Sequence, residues 1–471
     1  MGTWLVAKED LTPLQRRLVE MNINEPRLIS GISGSGKTQV LLHRARYLYD
    51  RLKVLPHRCL IFVPTNALKA YLQPAIQLLN LPEKSLSTLD DWCVNFYRTH
   101  VDPKMPETNF HQLDFGTIRK TVRGKLSKAS TANGSVLDNL FNIVFNLVQT
   151  EPINLPCYDF LLVDEGQELD EDALEIICLI ARHVTILADS SGSVRGSRLS
   201  LNAISKRLEQ QSAYNLSAGL RCSPYIASLA AQFIEDPQLH NSYNQSYNQA
   251  GQTSQREKET PVFYYAQDSL EQAQRIAAVC QSRLIKGESL AILLPLQFHV
   301  EELAKIWHDA NYVYRIDFID THIQNLVYQL AELVGCLKQH KLAIQPIAGE
   351  ILNNSTQLQR AWTNDYPKVV SFANCVGISF DTVIIPYLTL NFCTLEPSYL
   401  ARLLFMGITR AKKWVFLSTI KGEVLPLLEK ILPLRAQGSL TVQNYSTTIQ
   451  AAPAPYSPVY EDESDELIDI L

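Results

Sequence analysis

The segment Gly31-Ile-Ser-Gly-Ser-Gly-Lys37-Thr38 fits the pattern GxxxxGK[ST], and no other feature limits the fold of this chain so strongly. It follows the apolar run Arg27–Ser30 and precedes the helical run Gln39–Tyr49, the strand, loop and helix context in which such a loop binds phosphate. Gly31, Gly34 and Gly36, with Ser33 and Ser35 between them, let backbone N–H groups close around phosphates at a helix N-terminus. Lys37 places a cation on the β/γ-phosphates, and Thr38 offers a hydroxyl to Mg²⁺. The expected ligands are ATP and Mg²⁺.

A second apolar run, Phe160–Val163, leads straight into Asp164-Glu165-Gly166-Gln167. In a phosphate-loop enzyme an Asp at the end of such a strand completes the Mg²⁺ shell, and the adjacent Glu polarises the attacking water. Further strands are predicted at Cys59–Val63, Val184–Ala188 and Tyr214–Leu216, alternating with helical patterns, which is the signature of a parallel sheet covered by helices. A helical insertion is predicted at about 81–156. Its basic run, Arg119, Lys120, Arg123, Lys125 and Lys128, reads either as a solvated helix face or as a strand-binding surface.

After Pro224 the Asn/Gln/Ser-rich stretch 236–260 reads as a mobile surface loop. A second alternating pattern then places strands at Val262–Tyr265, Leu290–Leu294, Lys368–Phe372, Thr382–Pro386 and Trp414–Ser418. The fold class is therefore α/β, with a first domain over 1–224, a second over 225–436 and a disordered acidic tail over 437–471. The tail holds six carboxylates after Ala451 and no Lys or Arg, so setting it aside moves the net charge from −5 to +1. A near-neutral body can still bind a strand in a locally basic groove. The nine cysteines show no CxxC spacing, which points away from a zinc site or a disulfide framework. With neither a signal-peptide pattern nor a long unbroken apolar run, the chain reads as soluble and cytoplasmic.

At this point the motifs resemble those of the superfamily 1 helicases of the UvrD/Rep type, in the same order along the chain. Leu11-Thr-Pro-Leu-Gln15 resembles the opening motif, whose Gln reads the adenine. Phe62-Val-Pro64-Thr65-Asn66 and Ser87-Thr88-Leu-Asp-Asp-Trp92 are similar to segments that touch single-stranded DNA. Asp164-Glu165-Gly166-Gln167 looks like the DExQ motif. The segment Leu216–Pro224 resembles the motif whose Arg, here Arg221, reaches the γ-phosphate. Arg402-Leu-Leu-Phe-Met-Gly-Ile-Thr409-Arg410-Ala411 resembles the closing motif, which implies that Arg410 is an arginine finger. The resemblance implies two RecA-like domains that close on ATP and act on single-stranded nucleic acid, with DNA favoured over RNA and a protein partner expected.

The departures are as informative. Ala188-Asp189-Ser-Ser-Gly192-Ser-Val194-Arg195 lacks the Gln and the aromatic of the family's third motif. Gln39 and Leu220 stand where the family sandwiches the adenine between Arg and Tyr. In the T-x-H-x-x-KGLEFD-like segment, Ala373, Val376 and Ser379 replace His, Lys and Glu. The stretch from Arg221 to Ser371 also leaves no room for the large accessory insertion of the UvrD enzymes. These residues imply retained hydrolysis with weakened coupling to the strand. An ATP-gated switch without processive movement is the alternative reading.

Lys37→Ala is expected to cut ATP hydrolysis to below about a tenth of the wild-type rate, because it removes the cation on the transferred phosphoryl group. Glu165→Gln should hold ATP while hydrolysing it slowly. Equal loss of ATP binding in both variants, measured by titration with a fluorescent analogue, would contradict the roles assigned to these residues.

Overall fold

The computed structural model describes residues 4–22, 28–104, 113–132, 155, 157–190, 199–210, 213–251, 259–315 and 321–445. Gly192, Val194, Arg195, part of the expected insertion and the acidic end of the chain lie outside them.

Continuous apolar runs such as Cys59-Leu-Ile-Phe-Val63 are buried at every position, as strands covered on both faces require. Two sheets result, and every ladder in them is parallel. The first has the order β3-β2-β4-β5-β1-β6, with β1 Leu28–Gly31, β2 Cys59–Val63, β3 Leu86–Thr88, β4 Tyr158–Val163, β5 Ala181–Asp189 and β6 Tyr214–Leu216. The second has the order β13-β7-β12-β11-β8-β10-β9. Its strands are β7 Val262–Ala266, β8 Leu290–Leu294, β9 Gln345–Pro346, β10 Lys368–Ser371, β11 Phe380–Ile385, β12 Ala411–Ile420 and β13 Thr441–Asn444. This mixed α/β fold with two parallel sheets is the one that two RecA-like domains have.

Three strands were not evident from the apolar runs. Strands β3 and β9 are too short to display a period, and β13 is a polar edge strand paired with β7. The part of the expected tail at Thr441–Asn444 is thus a strand of the second sheet. The expected mobile loop at 236–260 is corrected over part of its length: Pro237–Gly251 is a helix, and 252–258 lie outside the described residues. Its Asn, Gln and Ser residues lie largely outward. Leu239, Tyr243 and Tyr247, spaced four apart, form one face, and both tyrosines are fully buried.

In the expected helical insertion, Phe115–Ala132 forms a helix that packs along the helix Glu171–Ile180. Arg119 pairs with Asp170 at 2.6 Å and Arg123 with Asp172 at 2.5 Å, so two members of the basic run meet the acidic first turn of the neighbouring helix. Lys120 and Lys128 are exposed. Among the described residues no helix is long and apolar enough to cross a membrane.

Arg44, on the helix Lys37–Leu52, ties the first helix to the sheet. Fully buried, it donates to the carbonyls of Leu18, Val19 and Met21 at 3.3, 3.2 and 2.7 Å and to Thr185 Oγ1 at 3.1 Å. Arg44→Ala removes these donors together and leaves buried carbonyls unpaired, which is expected to cost about 3 kcal/mol or more. Denaturant unfolding of the full chain checks this, and an unchanged midpoint would show that solvent reaches those carbonyls.

Candidate functional site

Parallel pairing sets the geometry of the site. In the order β4-β5-β1, the strand ends carrying Asp164, Asp189 and the loop after Gly31 are neighbours, and Gly31 stands in register with Asp189. The loop turns through Gly34 and Gly36, at φ +81° and +88°, conformations that L side chains rarely adopt. A Cβ on Gly36 would strike Gln15, and one on Gly31 would fall 2.6 Å from Ser35 Oγ. Gln15 is held by the Thr12 capping box, and it donates through Nε2 to Ser35 O at 3.1 Å. Ser35 Oγ is buried and has no partner among the described residues.

Lys37 Nζ donates to Gly31 O, Ile32 O and Asp189 Oδ2, each at 3.0 Å, within a site where lysine and aspartate are both buried. Thr38 Oγ1 donates to Asp164 Oδ2 at 2.8 Å. Burial and, after it, the charge of Glu165 push the Asp164 carboxyl up to about 7. Glu165 occupies the left-handed region at φ 53°, and a Cβ on Gly166 would collide with Ile186, so the turn after β4 is tightly constrained. Gln167 donates through Nε2 to Glu165 Oε2 at 2.6 Å and accepts at Oε1 from Asp189 N at 2.7 Å. The two carboxylate-bearing strand ends are thereby locked in register.

The second sheet supplies the opposite wall. Arg410, at the amino end of β12, is 4% exposed and donates through Nη2 to Ser33 Oγ at 3.1 Å. Its Nη1 is buried without a partner among the described residues. Burial, then the charge of Arg221, hold this guanidinium below its usual range. Ser33 Oγ donates to Thr409 Oγ1 at 3.1 Å, and Arg221 Nη1 to Thr409 O at 3.2 Å. A cleft of about 190 Å³ lies between Ser33, Glu165, Gln167 and Asp189 on one side and Val376, Arg402 and Arg410 on the other.

The structure thus gathers Gln15, Gly31, Ser33, Gly34, Ser35, Gly36, Lys37, Thr38, Asp164, Glu165, Gln167, Arg221 and Arg410 around one loop. The residues expected to touch a strand form a separate group at the carboxyl ends of β2 and β3, where Val63 is in register with Thr88. There Thr65 and Thr88 cap the helices that follow Pro64 and β3, accepting from Leu68 N and Asp91 N, and Asn66 opens the first of these. Trp92 donates to Tyr158 OH at 2.8 Å and stacks on Phe96 at 5.2 Å. Gln39, at one adenine-sandwich position, binds the backbone of the amino-terminal segment through Val6 N and Trp4 O.

Asp189 has the most direct role that motif reading had not assigned. Its signal was available as a carboxylate ending the strand beside the phosphate loop. Asp189→Asn would leave the Lys37 ammonium buried without its counter-charge, a loss of about 3–5 kcal/mol when one partner of a buried pair is removed. Urea unfolding of the nucleotide-free variant checks this, and a midpoint equal to wild type would mean that the carbonyls of Gly31 and Ile32 suffice.

Residues 11–370, more than half of the chain, match the UvrD/REP helicase N-terminal domain family. A probable DNA helicase II homolog from Mycoplasma capricolum is 24% identical over 298 residues, covering 48% of this chain and 41% of that protein. The ATP-dependent DNA helicase PcrA of Staphylococcus epidermidis is 24% identical over 238 residues, covering 37% and 32%. PcrA of Bacillus subtilis is 29% identical over 121 residues, covering 25% and 16%. The chain thus spans less than half the length of these relatives. Its matched span and its two parallel sheets agree, and the chain belongs to the UvrD/REP helicase family.

Proposed function

We propose that this chain is an ATP-hydrolysing, helicase-like motor whose domains divide near Pro224, close on Mg²⁺-ATP and act on single-stranded nucleic acid, DNA in preference to RNA, together with a protein partner. The observation that carries the reading is Arg410. A guanidinium with one buried N–H face unpartnered among the described residues, delivered by the second sheet to the phosphate loop of the first, has the chemistry of a receptor for an anion placed in that loop.

The residues fit the ligands. Thr38 and Asp164 offer oxygen donors 2.8 Å apart beside a second carboxylate, a set that suits Mg²⁺. Thr38 and Asp164 would hold Mg²⁺, which would supply positive charge to neutralise the phosphates. Lys37 exchanges its carbonyl partners for phosphate oxygens while Asp189 keeps it oriented. Glu165, fixed by Gln167, orients the attacking water and accepts its proton. Arg410 leaves Ser33 for the charge that develops on the transferred group, and Arg221 approaches from the junction. Arg410 and Thr409 of the second sheet close on Ser33 of the phosphate loop, so ATP entry requires these contacts to part. Opening and reclosure of the domains thereby become steps of each turnover.

The second reading is an ATP-gated switch. Val376 favours it, because it presents an aliphatic side chain to the cleft where the related helicases carry a lysine of the segment that joins strand contact to the ATP site. Steady-state ATPase with and without single-stranded DNA and RNA, run beside displacement of a tailed duplex on one preparation, separates the readings. The expected result is hydrolysis stimulated by single-stranded DNA with poor unwinding. Absence of Lys37-dependent hydrolysis would overturn the ATPase reading, and hydrolysis indifferent to any strand would favour the switch.

A further inference from the structure

Ser33 also receives a contact from the helix Pro237–Gly251. Tyr247 donates its hydroxyl to Ser33 O at 2.6 Å. Its ring lies over Gly219, where a Cβ would fall 2.5 Å from ring carbons, and a Cβ on Gly34 would strike its hydroxyl. The ring therefore fills a slot that two glycines leave open, one in the phosphate loop and one beside Arg221. The same two segments are joined by Leu220 N donating to Gly34 O at 2.9 Å. One turn earlier, Tyr243 packs on Tyr247 at 5.1 Å and meets Phe405 edge-on at 5.2 Å. Phe405 belongs to the helix Pro397–Ile408, which leads into Thr409 and Arg410.

We infer that Tyr247 is a positioning residue for the phosphate loop, and that Tyr243 ties the same helix to the element that carries Arg410. In a trans peptide the carbonyl and the next N–H point to opposite sides. Holding Ser33 C=O against Tyr247 therefore directs the Gly34 N–H away from the tyrosine, the orientation required of a donor in an anion-binding nest. It also fixes the Ser33 backbone from which the hydroxyl meets Arg410. The two tyrosines thus connect the loop that takes the phosphates to the helix that delivers the arginine. This inference rests on the ATPase reading and adds to it a helix outside the recognised motifs.

The test uses the full chain with Tyr247→Phe, which keeps the ring and removes the hydroxyl, and Gly219→Ala, which displaces the ring and keeps the hydroxyl. Fluorescent ADP counts nucleotide sites, and kcat is expressed per counted site, so a smaller folded fraction does not lower it. Loss of one buried hydrogen bond is expected to lower kcat per site roughly 3- to 10-fold in Tyr247→Phe. ADP affinity should fall less than kcat, since Lys37 and the other loop N–H groups still hold the bound phosphates while the charge developing on the transferred group depends on the Gly34 donor and on Arg410. Gly219→Ala should reproduce the fall, and it decides the matter if Tyr247→Phe does not fold. Wild-type kcat per site in both variants, or a parallel loss of ADP affinity and kcat, overturns the inference. If the wild type itself shows no Lys37-dependent turnover, the ATPase reading has failed instead, a result distinct from an active wild type matched by an equally active Tyr247→Phe.

Discussion

The conformation of the phosphate loop is the constraint on which the site depends. Ser33 is held at both ends: its hydroxyl accepts from Arg410 and donates to Thr409, and its carbonyl accepts from Tyr247. Gly34 and Gly36 give the loop its positive-φ turns without steric cost, and contacts from both sheets select the one conformation it takes. Lys37 and Asp189 hold the loop from below, within the first sheet. Closure of the two walls and the shape of the loop are therefore one structural fact.

The charges support the proposed reading of this site as one for an anionic ligand with a metal. Asp164, Glu165 and Asp189 sit with Lys37 in a space nearly closed to water, and Asp164 takes up a proton more readily than an exposed carboxyl. Across the cleft Arg410 is buried with part of its guanidinium unpaired. Separately, one wall wants a cation and the other an anion. In the proposed reading a nucleotide with its Mg²⁺ meets both needs, and the energy of doing so is available to draw the domains together.

Much of this was legible because the motifs combine with strand ends. Apolar runs located ten strands of the two sheets, and the residues following them, Gly31 to Thr38 and Asp164 to Gln167, are brought together by parallel pairing as that pattern demands. What escaped was whatever left no period or lay behind an ambiguous composition. Strands β3 and β9 are too short to show alternation. The helix Pro237–Gly251 is dominated by Asn, Gln and Ser, which signal loops, and only the spacing of Leu239, Tyr243 and Tyr247 gave its buried face. The basic run was ambiguous until the acidic turn at Asp170 and Asp172 was placed against Arg119 and Arg123.

Coupling between the site and a strand has to cross the junction of the two sheets, and the structure limits where it can do so. Gly377 packs so closely on Leu68 that a Cβ would fall 2.5 Å from its methyl group, and Tyr71 meets Trp362 edge-on at 5.9 Å with Trp4 stacked behind it. These contacts run along the helix Asn66–Leu78, whose first turn carries the residues expected to touch a strand. In the proposed reading, parting of the walls to admit a nucleotide makes this helix slide or tilt against Gly377 and Trp362, because packed interfaces move between discrete arrangements and do not deform continuously. Packing of this kind, with the Tyr71 hydroxyl also meeting Ser379, would on this reading transmit a displacement across the junction. A strand would, in the same proposed reading, feel the nucleotide through the position of Thr65 and Asn66, an arrangement better suited to shifting or releasing a strand than to prying a duplex apart.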